Sequence, residues 1–509
     1  MGNENKRIAK NTIFLYIRML LSIVISLYTS RVVLQVLGEV NYGIYGLVGS
    51  VVAMFTFLNT AMSGATSRFL THEMAKGDKE RLRDTFNSAL IIHIGIALLI
   101  LVLAETIGLW FLHNKLVIPE ERMFAAEIVY QLSIASMVIT ITQVPYNAAI
   151  IAHEKMDIYA YVELLNVTLK LVIVYILLIG NFDKLILYAV LVLCVSALIA
   201  FIYRIYCVKH YEETHIRLVY KPTIIKPMLG FSLWDLYGNM SVTARQQGTN
   251  LILNIFFGVV LNAASGIATM VQGIISGFSG NILQAFRPQI IKSYAIKEYA
   301  RMENLMSNAI KFAVLMLMII SVPLCIEIDY IMTLWLGDVP QYAPIFCRIL
   351  LIMNFFGIIN NILTISIHAT GKVKKLSFMA GTIALLNLPV IYILFRFFTK
   401  SPEYAYYILL CSAALMIIIE LILIKSLIPS LNIIKIAWTC LNTILAGMIS
   451  IVPTIPIITG MEPSIIKVLT ITTVYFIVLI AYCYFIILSN ENRQQIKLII
   501  NRYLKKIKR

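Results

Sequence analysis

The chain has 509 residues, of which 60% are hydrophobic and only 13% charged, and its mean hydropathy is +0.85. Soluble domains run at about 45–50% apolar and about 25% charged, so this composition excludes an ordinary water-soluble core. The net charge of +16 would suit a nucleic-acid binder, but the basic residues sit in short loops between apolar segments, so DNA binding is not expected.

Fourteen apolar segments follow one another at about 12–37, 42–66, 86–111, 128–151, 160–180, 185–206, 228–256, 259–285, 309–328, 345–367, 378–397, 405–424, 436–457 and 467–488. The fold class is therefore all-α and polytopic, with about 14 transmembrane helices. The first segment is too long for a signal-peptide core and no small-residue cleavage site follows it, so it is expected to stay as a helix. Lys and Arg concentrate in the loops of one parity, which places both termini in the cytoplasm.

Span one carries Arg18 and Arg31. A charge inside a span costs at least about 2.5–3.5 kcal/mol on insertion scales, so both residues call for a reason. At about 100° per residue, Arg18, Ser22, Ser26 and Thr29 share one sector and Tyr28, Arg31 and Gln35 fall nearly opposite. Small serines suit close helix packing, which leaves the Tyr28–Arg31–Gln35 face for a wet interior. Snorkelling to either surface is the plain alternative for both arginines. In span two, Gly43, Gly46 and Gly49 read as packing positions.

His93 and Glu105 in span three, and Glu163 and Lys170 in span five, are further polar residues at membrane depth. Glu163 and Lys170 are seven apart and therefore able to pair on one face. Between spans six and seven, residues 203–227 read as a linker.

Span seven, SLWDLYGNMSVTARQQGTN (232–250), is the most polar of the set. Asp235, Asn239, Gln246 and Asn250 share a face with Arg245 on its flank, and lipid cannot satisfy such groups. They are expected to line a cavity, with Gly238 and Gly248 permitting local unwinding. Span eight carries Gly273-x-x-x-Gly277, a helix-contact pattern. Arg287 opens the long loop that follows. Arg348 in span ten and Glu420 in span twelve complete the inventory, Glu420 lying where it could meet Lys425.

A shift of about 220 residues sets Gly38 on Gly258 and Ala89 on Ala309, which reads as two six-helix copies, the way many transporters build their halves. The domains expected are 1–206, an N-lobe; 207–227, a cytoplasmic linker; 228–424, a C-lobe; and 425–509, two further spans with a basic amphipathic tail suited to an anionic leaflet. Seven scattered cysteines without C-x-x-C give neither a disulfide framework nor a metal site. There is no P-loop and no H-E-x-x-H, and no extramembrane segment of domain size, so no enzyme is expected.

TSRVVLQVLGEVNYGIYGLVGSV (29–51), followed by SRFLTHEMAKGD (67–78), resembles the polysaccharide-exporter family of the MOP superfamily, the Wzx-type oligosaccharide flippases. The resemblance implies two lobes forming a V around a cationic cavity. It also implies a cargo of undecaprenyl-pyrophosphate-linked oligosaccharide, flipped across a bacterial cytoplasmic membrane toward the periplasm. Arg18, Arg31, Arg245 and Arg287 are then the candidate pyrophosphate ligands, since arginine's planar fork matches phosphate oxygens. Tyr28, Gln35, Asp235, Asn239, Gln246 and Asn250 would line the cavity. His93, Glu163 and Asp235 are candidates for coupling to H+ or Na+, with no other cofactor. Membrane lipids and the polysaccharide polymerase machinery are the implied partners. A cation-coupled exporter of small organic molecules and a silent assembly scaffold are the alternatives.

Overall fold

The computed structural model describes residues 2–153, 155–179, 182–217, 221–370, 372 and 374–487; the side chains of 2–20, 60, 61, 64, 75, 156, 231–235, 279–282, 284, 285, 288, 295, 486 and 487 lie outside that description. The basic tail predicted after residue 488 falls outside it altogether.

Among the described residues every regular element is helical. In chain order these are α1 (Gly2–Ala53), α2 (Phe57–Lys76), α3 (Lys79–Leu103), α4 (Leu109–Asn114), α5 (Glu120–Ala152), α6 (Met156–Leu177) and α7 (Lys184–His210). There follow α8 (Pro222–Phe257), α9 (Val259–Ala295), α10 (Tyr299–Ile326), α11 (Ile328–Leu336) and α12 (Ala343–Ala369). The last are α13 (Lys374–Phe397), α14 (Tyr404–Leu427), α15 (Ile433–Ile451), α16 (Ile455–Gly460) and α17 (Ile465–Tyr482). Twelve described helical stretches are long and apolar enough to cross a membrane, and the chain is a multi-pass membrane protein. The expected count of fourteen is not reproduced. Spans one and two fall in one helical run, residues 21–59, and α8 is not among the twelve because its polar stretch lowers its hydropathy.

The two long helical runs are each interrupted at a single residue. Gly38 in α1 has φ 74° and ψ 165°. Gly258, between α8 and α9, has φ 82° and ψ −176°. That region of backbone space is essentially closed to residues with a Cβ. The two glycines are one repeat shift apart, and the correspondence continues downstream. Gly77 and Lys297 both have positive φ, 76° and 58°. Their N–H groups donate to Met74 O at 3.1 Å and Tyr294 O at 3.0 Å. Just beyond, Asp78 and Glu298 are the N-caps of α3 and α10, which begin at Lys79 and Tyr299. Likewise α6 and α13 end at Leu177 and Phe397, and α7 and α14 begin at Lys184 and Tyr404. The repeat seen in the sequence is therefore written into the backbone.

Contacts divide the chain into two compact units. The first is Met1–Ile267 with Asp338–Ala343 and Ser377–Ile408; the second is Ala268–Gly337 with Pro344–Leu376 and Leu409–Arg509. These units are not simply the two repeats, because α8 and most of α13 go with the first. In the first unit α5 packs on α7, α1 on α6, and α8 on both α2 and α1. One apolar cluster of this unit includes Ile44, Leu47, Val48, Ile100, Leu112, Val129 and Tyr130. In the second, α10, α15 and α17 pack on one another.

The segment read as a linker is strapped down where it is described. Asn87 of α3 accepts from Arg217 N at 2.6 Å and donates to His215 O at 3.3 Å. His153 stacks on Tyr211 at 3.9 Å, and its Nε2 lies 2.6 Å from Glu213 Oε1.

Candidate functional site

The candidate site is built on α1 and α8 of the first unit, which pack directly on each other. On α1, Tyr28 and Gln35 are exposed and Arg31 is half-buried. Tyr28 meets the Tyr175 hydroxyl of α6. Arg31 makes no hydrogen bond or ion pair among the described residues. Between Leu21 and Leu37 the helix carries no carboxylate that could neutralise it.

α8 is continuous from Pro222 to Phe257, so the expected unwinding at its glycines does not occur. Gly248 serves close packing instead: a Cβ there would lie 2.8 Å from a Leu388 methyl of α13. Tyr237 reinforces this contact, its hydroxyl lying 2.9 Å from Thr382 Oγ1. Arg245 is half-buried on this helix, and its guanidinium has no hydrogen-bond or ion-pair partner among the described residues. Gln246 is exposed and Asn239 half-buried with a partner of its own.

Asn250 stands apart from that group. Its amide donates to Ser50 Oγ at 2.5 Å, and both its oxygens accept from Asn262 Nδ2 at 2.8 Å. Asn262 Oδ1 in turn accepts from Asn254, whose side chain brackets Val117 with bonds of 2.9 and 3.1 Å. This chain of amides fixes the α8–α9 junction beside Gly258 and ties it to α1 and to the segment before α5. The sequence reading took Asn250 for a cavity residue; here its hydrogen-bonding capacity goes to packing.

Arg18 and Asp235 have side chains outside the described residues. Arg287 is exposed on α9 in the second unit. Of the coupling candidates, His93 is fully buried with Nε2 3.1 Å from Thr66 Oγ1, and no carboxylate is bonded to it. Glu163 is half-buried and forms no ion pair with Lys170. Glu420 accepts from Thr364 at 2.8 Å rather than meeting Lys425, which caps Pro429 O at 2.9 Å. Arg348 is bonded to Asp329 and to Cys325 O. No described group of three metal-ligating side chains is brought together.

The serine seam of α1 is the feature sequence reasoning misassigned. Ser26 and Thr29 do not disappear into a tight helix contact; together with Ser30, which the seam did not include, they line a cavity of about 290 Å³. Among the glycines expected to pack, Gly43 does so against Val259, whereas Gly46 borders this cavity and Gly273 and Gly277 have open space where a Cβ would stand. A buried ion pair, Lys467 to Glu327 at 3.1 Å in the second unit, was also missed. Lys467 sat at the edge of an apolar run, and nothing in the sequence marked its partner.

Residues 8–292 match the family model described as "Polysaccharide biosynthesis protein". No curated protein matches the chain. Among solved structures it is similar to the lipid II flippase MurJ in an inward closed conformation, at 13% identity and TM-score 0.67, covering 93% of this chain and 98% of that one. It is also similar to an inward-facing multidrug resistance MATE transporter of the MOP superfamily, at 14% identity and TM-score 0.62, covering 86% and 98%. A third is a MOP transporter from Pyrococcus furiosus described by the reversed polarity of its binding pocket, at 15% identity and TM-score 0.58, covering 86% and 96%. These likenesses establish the fold, and the family model spans more than half of the sequence. The chain belongs to the polysaccharide biosynthesis protein family and has the all-helical fold of these MOP-superfamily structures.

Proposed function

We propose that the protein is a flippase that moves an undecaprenyl-pyrophosphate-linked oligosaccharide from the cytoplasmic to the periplasmic leaflet of a bacterial inner membrane, with both termini cytoplasmic. The observation that carries this reading is the pair of partner-free arginines, Arg31 and Arg245, on two helices packed together in one unit. A guanidinium held at membrane depth without a carboxylate is an unpaid electrostatic cost. A pyrophosphate offset by bidentate hydrogen bonds removes that cost only while cargo is bound. Membership of a polysaccharide biosynthesis family supports a glycan cargo, and similarity to a lipid II flippase supports a lipid-linked head group.

Alternating access lets the head cross a wet interior while the polyprenyl tail stays in the bilayer. Arg18 and Arg287 are the further candidate pyrophosphate ligands in this proposal, and Asp235, Asn239 and Gln246 its candidate polar residues. Coupling to H+ or Na+ is part of the proposal and is assigned to His93, Glu163 or Asp235. The polymerase machinery is its expected downstream partner. The test is complementation of a bacterium lacking its own oligosaccharide flippase, with Arg31→Ala and Arg245→Ala expressed at wild-type level. Surface polysaccharide restored by the wild type and lost in both variants supports the reading. Full restoration by both variants refutes the arginine clamp.

A further inference from the structure

Inside the first unit, α1, α6, α7 and α9 surround the cavity of about 290 Å³ that the serine seam faces. Its lining includes the hydroxyl-bearing residues Ser26, Thr29, Ser30, Tyr42, Tyr45 and Tyr188, and one charged residue, Lys170; Ser30 Oγ donates to Leu27 O at 3.0 Å. Thr29 Oγ1 is buried and unpartnered. Lys170, about two turns before the end of α6, is exposed and has no hydrogen bond or ion pair among the described residues. No Asp or Glu lines the cavity.

We propose that this cavity is a binding site for a small inorganic anion, held by the Lys170 ammonium and the ring of hydroxyl donors. An ammonium at membrane depth needs a counter-charge, and the wall offers none from the protein. Hydroxyls rotate to donate toward whatever acceptor occupies the space, and the buried, unpartnered Thr29 Oγ1 and the neighbouring tyrosines line it. A metal cation would meet the ammonium with no carboxylate to offset it, so the electrostatics favour negative charge. At about 30 Å³ per water in the liquid, the space admits a halide or an orthophosphate with several waters. The site is distinct from the Tyr28–Arg31–Gln35 face, which lies on the other side of the same helix.

The experiment is equilibrium dialysis of the purified full-length protein against radiolabelled chloride and, separately, radiolabelled orthophosphate, at fixed sodium with gluconate as the inert balance. Wild type is expected to take up one of the two saturably, which identifies the anion. Lys170→Met should weaken that binding by about tenfold or more while Lys170→Arg retains it, a range in line with hydrogen bonds to charged groups. Thr29→Val and Tyr188→Phe should each weaken it by a few-fold, and they carry the test if Lys170→Met does not remain monodisperse. No saturable binding of either anion to the wild type overturns the proposal. So does binding that is unchanged in Lys170→Met, or in both hydroxyl variants.

Discussion

Replacing Gly38 or Gly258 with alanine tests the repeat at its joints. Both glycines hold φ near +80° with ψ near 180°, at 74°/165° and 82°/−176°. A Cβ at either position would meet nothing within 4 Å, so no neighbour has to move. The whole penalty is therefore backbone strain, about 1–3 kcal/mol per site for a conformation essentially reserved for glycine. At about 1.4 kcal/mol per decade, each substitution should shift the folded-to-unfolded ratio by roughly 5- to 150-fold. Gly49 is the control: it lies in α1 with open space around its Cβ position and ordinary helical geometry. Gly49→Ala should be neutral or gain up to about 1 kcal/mol from reduced chain entropy. Denaturant titration of the purified protein, followed by tryptophan fluorescence, reads all three. Wild-type stability for Gly38→Ala and Gly258→Ala would refute the strained-junction account, and destabilisation by Gly49→Ala alone would invert it.

Other substitutions probe separate links in the chain of reasoning. Gly43→Ala should be more damaging than either junction variant, because its Cβ would come 2.0 Å from the backbone oxygen of Val259 and the helix must shift; the same titration measures it. Glu327→Gln leaves Lys467 buried and unpaired and should cost about 3–5 kcal/mol, whereas a matched apolar double replacement should recover much of that loss. Asn254→Leu removes both bonds to Val117 and should cost about 1–3 kcal/mol for each backbone group left unsatisfied, with slower loss at sites away from the junction in hydrogen exchange. At Asp183, the N-cap of α7, the paired Arg122 guanidinium and the helix N–H groups hold the carboxyl below its usual range. A depressed folded-state value means the stabilisation is present above the unfolded value near 3.9 and is lost as pH falls through the folded one. Arg122→Met should flatten that acid limb by at most about 1 kcal/mol, as unfolding midpoints between pH 6 and pH 3 would show.

What the sequence made legible follows from period and composition. Hydropathy located the spans, and the shift of about 220 residues located a repeat whose joints prove to share unusual dihedrals. Arg31 and Arg245 were visible because a charge in an apolar run is conspicuous without any tertiary information. The polar faces were harder, since helical phase says which residues lie together but not what lies opposite. Thus Ser26 and Thr29, read as part of a packing seam, line a cavity, whereas Asn250, read as cavity lining, is consumed by Ser50 and Asn262. The assignment of α8 to the unit that holds α1 is likewise a matter of tertiary contact, invisible in a pattern of spans.

The most direct test of the central claim is transport itself. The purified protein, reconstituted into liposomes carrying a fluorescent undecaprenyl-pyrophosphate oligosaccharide, should expose that head group to an externally added glycosidase faster than protein-free vesicles do. Arg31→Ala and Arg245→Ala should each slow the exposure by about tenfold or more, the loss expected for one hydrogen-bonded charge pair of roughly 1.5–3 kcal/mol. Exposure at the protein-free rate with the wild type, or at the wild-type rate with both variants, would contradict the account.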